Sequence, residues 1–255
     1  MSEMVRLDGR SIIITGAAQG IGRAIGEQVV RLGGQVVAVD LDAEALEVLK
    51  SDLGEVLTYA GDASDSAFVT ETMKDLEDKG VEVSGLVNNA GIVRAAMILK
   101  MEESQWDQVL DVHLKSAFLW TQAVGRHIVA REGEGKRNTG SLIHVSSIAG
   151  RAGSIGQINY AAAKSGIFGV SMTAAKEFAR YGIRSNSVSF GMVETKMTEV
   201  VRGEKFRDQM LAKIPLGYWA KPEEVAEPVA FLLSDAARYL TGQNFGLDGG
   251  MHIST

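Results

Sequence analysis

The sequence of 255 residues contains no cysteine. Disulfides, thiolate catalysis and cysteine-held metals are therefore excluded, which fits a reducing compartment. No run of 18 consecutive apolar residues occurs, so no membrane-spanning helix is expected. The amino-terminal MSEMVRLDGRSIIIT carries no signal-peptide pattern, and a cytoplasmic location is expected. An excess of positive charge is also missing: the formal net charge is −6, which argues against a nucleic-acid surface. Internal repeats and low-complexity segments are absent. What remains is 45% hydrophobic and 23% charged, an ordinary globular composition. The length suits one α/β domain over residues 1–255.

The first signal that is present lies at the start. Residues 11–14 form an apolar run, followed by Thr15-Gly16-Ala17-Ala18-Gln19-Gly20-Ile21-Gly22 and then by helical periodicity over 23–32. Strand, glycine turn and helix together are the context in which glycines mean dinucleotide binding. They let the backbone approach a pyrophosphate seated on the helix amino terminus. A second strand over 36–39 ends in Asp40, 18 residues past Gly22. A carboxylate there can accept from a ribose diol and would repel a 2′-phosphate. Arg23 is the one nearby cation; surface solvation and pyrophosphate attraction both fit it.

The second signal runs over 140–168. An apolar, β-branched stretch, 142–145, ends in Ser146 and Ser147, as a strand does when its end delivers polar groups to a site. A glycine-rich loop follows (Gly150, Gly153, Gly156), then Asn159-Tyr160-Ala161-Ala162-Ala163-Lys164. The alanines predict helix, and the i, i+4 spacing puts Tyr160 and Lys164 on one face. A free tyrosine, with a pKa of about 10, is a poor base at neutral pH. A lysine cation nearby favours the phenolate, which can then trade a proton with an alcohol or ketone oxygen. A serine hydroxyl can hold the same oxygen. Tyr-x-x-x-Lys on an alanine-rich helix also arises often by chance, so the pair alone settles nothing.

The glycine spacing T-G-x-x-x-G-x-G, Asn88-Asn89-Ala90-Gly91, Ser147 thirteen residues before Tyr160, Tyr160-x-x-x-Lys164 and Asp248-Gly249-Gly250 occur in this order along the chain. Together they resemble the short-chain dehydrogenase/reductase family, in the branch of 3-oxoacyl reductases and secondary alcohol dehydrogenases. The resemblance spans essentially the whole chain. It implies a doubly wound parallel sheet of Rossmann type with about seven strands, and a homotetramer or homodimer. It assigns Ser147, Tyr160 and Lys164 to catalysis. It assigns Gly16, Gln19, Gly20, Ile21, Asp40 and Asn89 to the cofactor, with Val193 and Thr195 at the nicotinamide end and Tyr160 and Lys164 shared. Asp62 and Ala63 would lie against the adenine, although a helix cap is the other reading for this segment, because Ser64 and Asp65 also lead into a helix over 67–79. Residues 192–215 would form a substrate lid.

Two positions depart from the family pattern. His113, in a long helical stretch over 102–130, stands where the family usually has asparagine. A histidine relay member would be titratable, and packing is the other reading. Phe190 precedes Gly191 where the family usually has proline; an apolar face beside the reaction site and plain loop packing both fit it.

These features predict an NAD-dependent oxidoreductase that interconverts a secondary alcohol and a ketone, with Tyr160 as general acid/base and no metal. The alternatives are an NADP-dependent 3-oxoacyl thioester reductase, a catalytically silent nucleotide-binding protein, and an isomerase on the same scaffold. Partners are expected to be a small alcohol or ketone, with no nucleic acid and no membrane.

Overall fold

Five buried residues, Ser11–Thr15, form β1. The computed structural model describes residues 5–253, without the side chains of Val200 and Lys205. Residues 1–4 and 254–255, part of the expected 1–255 domain and including the start of the stretch read as leaderless, lie outside the described residues. From β1 the chain runs through α1 (Gly20–Arg31), β2 (Gln35–Asp40), α2 (Ala43–Leu53), β3 (Val56–Ala60), α3 (Ser66–Asp78) and β4 (Val83–Asn88). Next come α4 (Glu103–Leu110), a π turn (Asp111–Lys115), α5 (Ser116–Glu132), β5 (Gly140–Ser147), α6 (Ile148–Ala152) and α7 (Ile158–Phe178). The last third holds β6 (Ile183–Phe190), α8 (Glu199–Arg202), α9 (Glu204–Leu211), α10 (Pro222–Leu233) and β7 (Asn244–Leu247).

The strands form one sheet in the order β3-β2-β1-β4-β5-β6-β7, every pairing parallel. Such a sheet is covered on both faces, which is why its strands read as unbroken apolar runs. Alternate residues of one strand feed different cores. Ile12 and Ile14 pack with Ile25, Val29 and Val229, whereas Ile13 packs with Val37, Trp120 and Leu142. The strand order reverses between β1 and β4. Open sheets of this kind bind ligands at that switch point, beyond the carboxyl ends of the strands.

Three local expectations change. The helix expected over 102–130 is broken: at Asp111–Lys115 it widens, and the Ser116 N–H donates to Asp111 O, one residue further back than in an α-helix. The glycine loop after β5 begins as the short α6, because the Ser147 hydroxyl accepts from Ala149 N at 3.2 Å and caps it. Phe190 closes β6, is 5% exposed and belongs to the core. Packing, of the two readings left open for it, is the one the structure supports.

Candidate active site

The glycine turn after β1 is tied to the end of β4. Thr15 Oγ1 accepts from Asn89 N at 3.0 Å and Ala90 N at 3.1 Å, and Asn89 Nδ2 donates to Thr15 O and Gly16 O at 3.1 and 3.0 Å. Gly22 permits this closeness, since a Cβ there would stand 2.0 Å from Gly16 O. At Gly20, whose φ is +57°, a Cβ would instead project into the gap facing the Thr195 methyl, 3.6 Å away. Gln19 gives α1 no side-chain cap, so the leading N–H groups of the helix keep their donor capacity for a diphosphate. The glycine cradle and these donors fit a dinucleotide.

Asp40 sits at the end of β2 with Oδ2 accepting from Ala18 N at 3.0 Å and Oδ1 from Asp42 N at 3.2 Å. Each carboxylate oxygen retains a lone pair for a ribose hydroxyl. Arg23 pairs with Glu27 at 2.9 Å and Asp52 at 2.7 Å. Gly61 N donates to Asp40 O at 2.9 Å, bringing the Asp62–Ala63 loop beside the glycine turn. The cap of α3 is Asp65, which accepts from Ala67 N; Asp62 Oδ1 instead accepts from Ser64 N and Ser64 Oγ. The helix-cap reading therefore belongs to Asp65, not to Asp62.

At the end of β5, the Ser147 hydroxyl lies near enough to Tyr160 to favour its phenolate. Lys164 is 3% exposed; its Nζ donates to Val145 O at 2.7 Å and stands 5.7 Å from the centre of the Tyr160 ring. Ser146 Oγ donates in turn to Lys164 O at 2.7 Å, clasping β5 to α7. Burial pushes the Lys164 ammonium down to about 7. Burial also raises the Tyr160 phenol, against a smaller lowering by Ser147. Burial thus opposes charge on both groups, the lysine as ammonium and the tyrosine as phenolate.

His113 is 4% exposed, and its ring meets Tyr160 edge-on with centroids 5.1 Å apart. Its Nε2 lies 3.0 Å from Ile92 N and 2.8 Å from Ile92 O, while Nδ1 is buried without a partner. Burial, aided by the Lys164 charge, lowers its pKa to about 3. The expected titratable relay member is therefore neutral throughout the physiological range.

Val193 and Thr195 follow β6. Val193 pairs with Ala220, and the Arg202 guanidinium donates to Thr195 O at 3.1 Å. A residue outside the predicted site set, Asn159, holds the backbone of Tyr160. Fully buried at the start of α7, it accepts from Tyr160 N at 2.8 Å and donates to Arg94 O and Gln105 O at 3.0 and 2.9 Å.

A glycine turn at the first crossover and a Ser147–Tyr160–Lys164 cluster beside the switch point define a nicotinamide-dependent oxidoreductase. The chain belongs to the short-chain dehydrogenase/reductase family and acts on a CH–OH group with NAD or NADP. A family model described as enoyl-(acyl carrier protein) reductase matches residues 16–252. The chain is 42% identical over 253 residues to the 3-oxoacyl-(acyl-carrier-protein) reductase of Thermotoga maritima, covering 98% of this chain and 100% of that one. It is 37% identical over 265 residues to the (3R)-3-hydroxyacyl-CoA dehydrogenase of Rattus norvegicus, covering 99% and 100%. A crystal structure from Agrobacterium tumefaciens, provisionally assigned as a gluconate dehydrogenase, superposes with a TM-score of 0.92 at 27% identity, covering 97% and 98%.

Proposed function

We propose that the protein is an NAD-dependent dehydrogenase that interconverts a secondary alcohol and a ketone. The observation that carries this reading is the gathering of Ser147, Tyr160 and Lys164 at the end of β5. Bound nicotinamide supplies the hydride acceptor or donor. Tyr160 exchanges the proton of the carbinol oxygen, and Ser147 holds that oxygen. Lys164, neutral above about 7, gives the released proton a place to go. His113 contributes as an uncharged group that holds Ile92 and packs against Tyr160.

Gly16, Gln19, Gly20 and Ile21 would hold the diphosphate, Asp40 the adenosine ribose, and Asp62 with Ala63 the adenine. Asn89, Lys164, Val193 and Thr195 would hold the nicotinamide half. The like charge of Asp40 against a 2′-phosphate supports NAD over NADP. Residues 192–215, with half-exposed Met197, form the proposed lid. For the substrate, the Thermotoga and rat relatives favour a 3-hydroxyacyl thioester. The exposed Met97, Ile98 and Ile155 would suit its acyl chain; Ala96 N donates to Gly156 O at 2.9 Å, joining their two loops. A groove of about 980 Å³ between α5 and α7, lined by Phe118, Gly125, Gly169 and Phe178, supports assembly with further copies of this chain.

The test is NADH formation with a panel of secondary alcohols and 3-hydroxyacyl thioesters. Tyr160→Phe should lower turnover by at least about 10²-fold while NADH binding is kept. Undiminished turnover in that variant would remove Tyr160 from the chemistry.

A further inference from the structure

The loop after β3 is held on its near side by itself and by β2. Gly61 N donates to Asp40 O, and the Asp62 carboxylate accepts from the amide and hydroxyl of Ser64 at 2.8 and 2.7 Å. Its far side meets Trp120 of α5. That indole is fully buried, and its Nε1–H donates to Ala63 O at 3.1 Å. Phe68 packs edge-on against Trp120, with centroids 6.4 Å apart at 74°. The same Phe68 ring lies where a Cβ on Gly61 would be, 2.3 Å away. Gly61, Phe68 and Trp120 thus form one packed wedge under the loop.

A buried indole N–H can only donate, and it needs an acceptor. An aliphatic residue could fill the same space but would leave the Ala63 carbonyl without this partner. The neighbouring residues of α5 serve β4 in the same way, since Asn88 Nδ2 donates to Thr121 Oγ1 at 3.2 Å and Ala117 O at 3.4 Å. One turn of α5 therefore anchors both the loop after β3 and the end of β4.

We infer that Trp120 is a positioning residue for the adenosine half of the cofactor, setting Asp62 and Ala63 through the Ala63 carbonyl. The inference rests on the proposed dinucleotide reading of the site. Removing a single donor from a buried carbonyl is worth about fivefold to tenfold in an affinity that depends on that carbonyl's placement.

The experiment measures calorimetric binding of 5′-AMP and of nicotinamide mononucleotide to three proteins. These are the wild type, Trp120→Phe, and a protein with benzothienylalanine at position 120, which keeps the indole shape and lacks the N–H. The expected result is AMP binding weakened about fivefold to tenfold in both altered proteins, with nicotinamide mononucleotide unchanged within about twofold. Wild-type AMP affinity in the benzothienylalanine protein would overturn the inference, whatever the phenylalanine variant does. Equal weakening of both mononucleotides would overturn it too, because the effect would then be general to the fold. Failure of the wild type to bind AMP at all would instead overturn the dinucleotide reading beneath it.

Discussion

The imidazole of His113 stands edge-on to the phenol of Tyr160, with centroids 5.1 Å apart and planes at 87°. Gly91 makes room for it, since a Cβ at that position would lie 2.3 Å from the His113 ring. The imidazole also holds the backbone of Ile92. Asparagine can keep a polar contact with that backbone, whereas leucine leaves its groups unpaired, at a cost of about 1–3 kcal/mol. His113→Asn should therefore stay active, and His113→Leu should fall at least about tenfold below it in kcat/KM. Equal activity of the two variants would demote His113 to packing.

Lys164 titrates near 7 because burial disfavours its charge. Below that value it already carries a proton and cannot take another. The kcat/KM for alcohol oxidation should accordingly rise about tenfold per pH unit up to about 7 and then level. In Lys164→Arg, whose guanidinium stays charged, the inflection should vanish. A wild-type profile flat from pH 6 to 8 would contradict this role.

Asp40 bears on the choice of cofactor. Wild-type kcat/KM should favour NAD over NADP by at least about tenfold, or about 1.4 kcal/mol. Asp40→Ala combined with Leu41→Arg should narrow or reverse the ratio, by removing one charge of the wrong sign and adding one of the right sign. Steady-state kinetics with both cofactors decides it, and a wild-type preference for NADP would reject the assignment.

His144 lies fully buried in β5, accepting at Nδ1 from Asn88 Nδ2 at 3.0 Å and donating from Nε2 to Ser185 Oγ at 3.0 Å. Burial lowers its pKa from 6.5 to about 4. Between those values the unfolded chain binds the extra proton, so stability falls as pH drops through this window. The size is on the order of 3 kcal/mol. Urea midpoints from pH 7 to 4 should fall more steeply in the wild type than in His144→Gln. Parallel slopes would remove His144 as the cause.

Phe118 is 52% exposed on α5, at the groove against α7. If copies of the chain meet there, Phe118→Glu should lower the sedimenting mass without changing the circular dichroism. An assembled wild type whose mass is unmoved by this change would place the interface elsewhere.

Much of the site was legible without a structure, because its signals are local. The buried run of β1, the glycine turn behind it, Asp40 at the end of β2, and the one-turn spacing of Tyr160 and Lys164 all follow from periodicity and short spacings. Helix α2 over Ala43–Leu53 carries local signals at both ends, since Asp42 caps it and Gly54 ends it.

What the tertiary structure decided depends on burial and on partners far apart in the chain. Charge at Lys164 and His113 is set by desolvation, which no spacing encodes: the lysine is neutral above about 7 and the histidine above about 3. The break in the helix at Asp111–Lys115 places His113 against Tyr160, where a continuous pattern concealed it. Phe190 became core because β6 extends through it. Trp120 reaches Ala63 across 57 positions of sequence. The sequence by itself determined which groups could react and which turn could take a diphosphate, since those follow from residue type and local geometry. The fold alone decided how those groups are charged and what holds them, because both depend on water being excluded by residues distant along the chain.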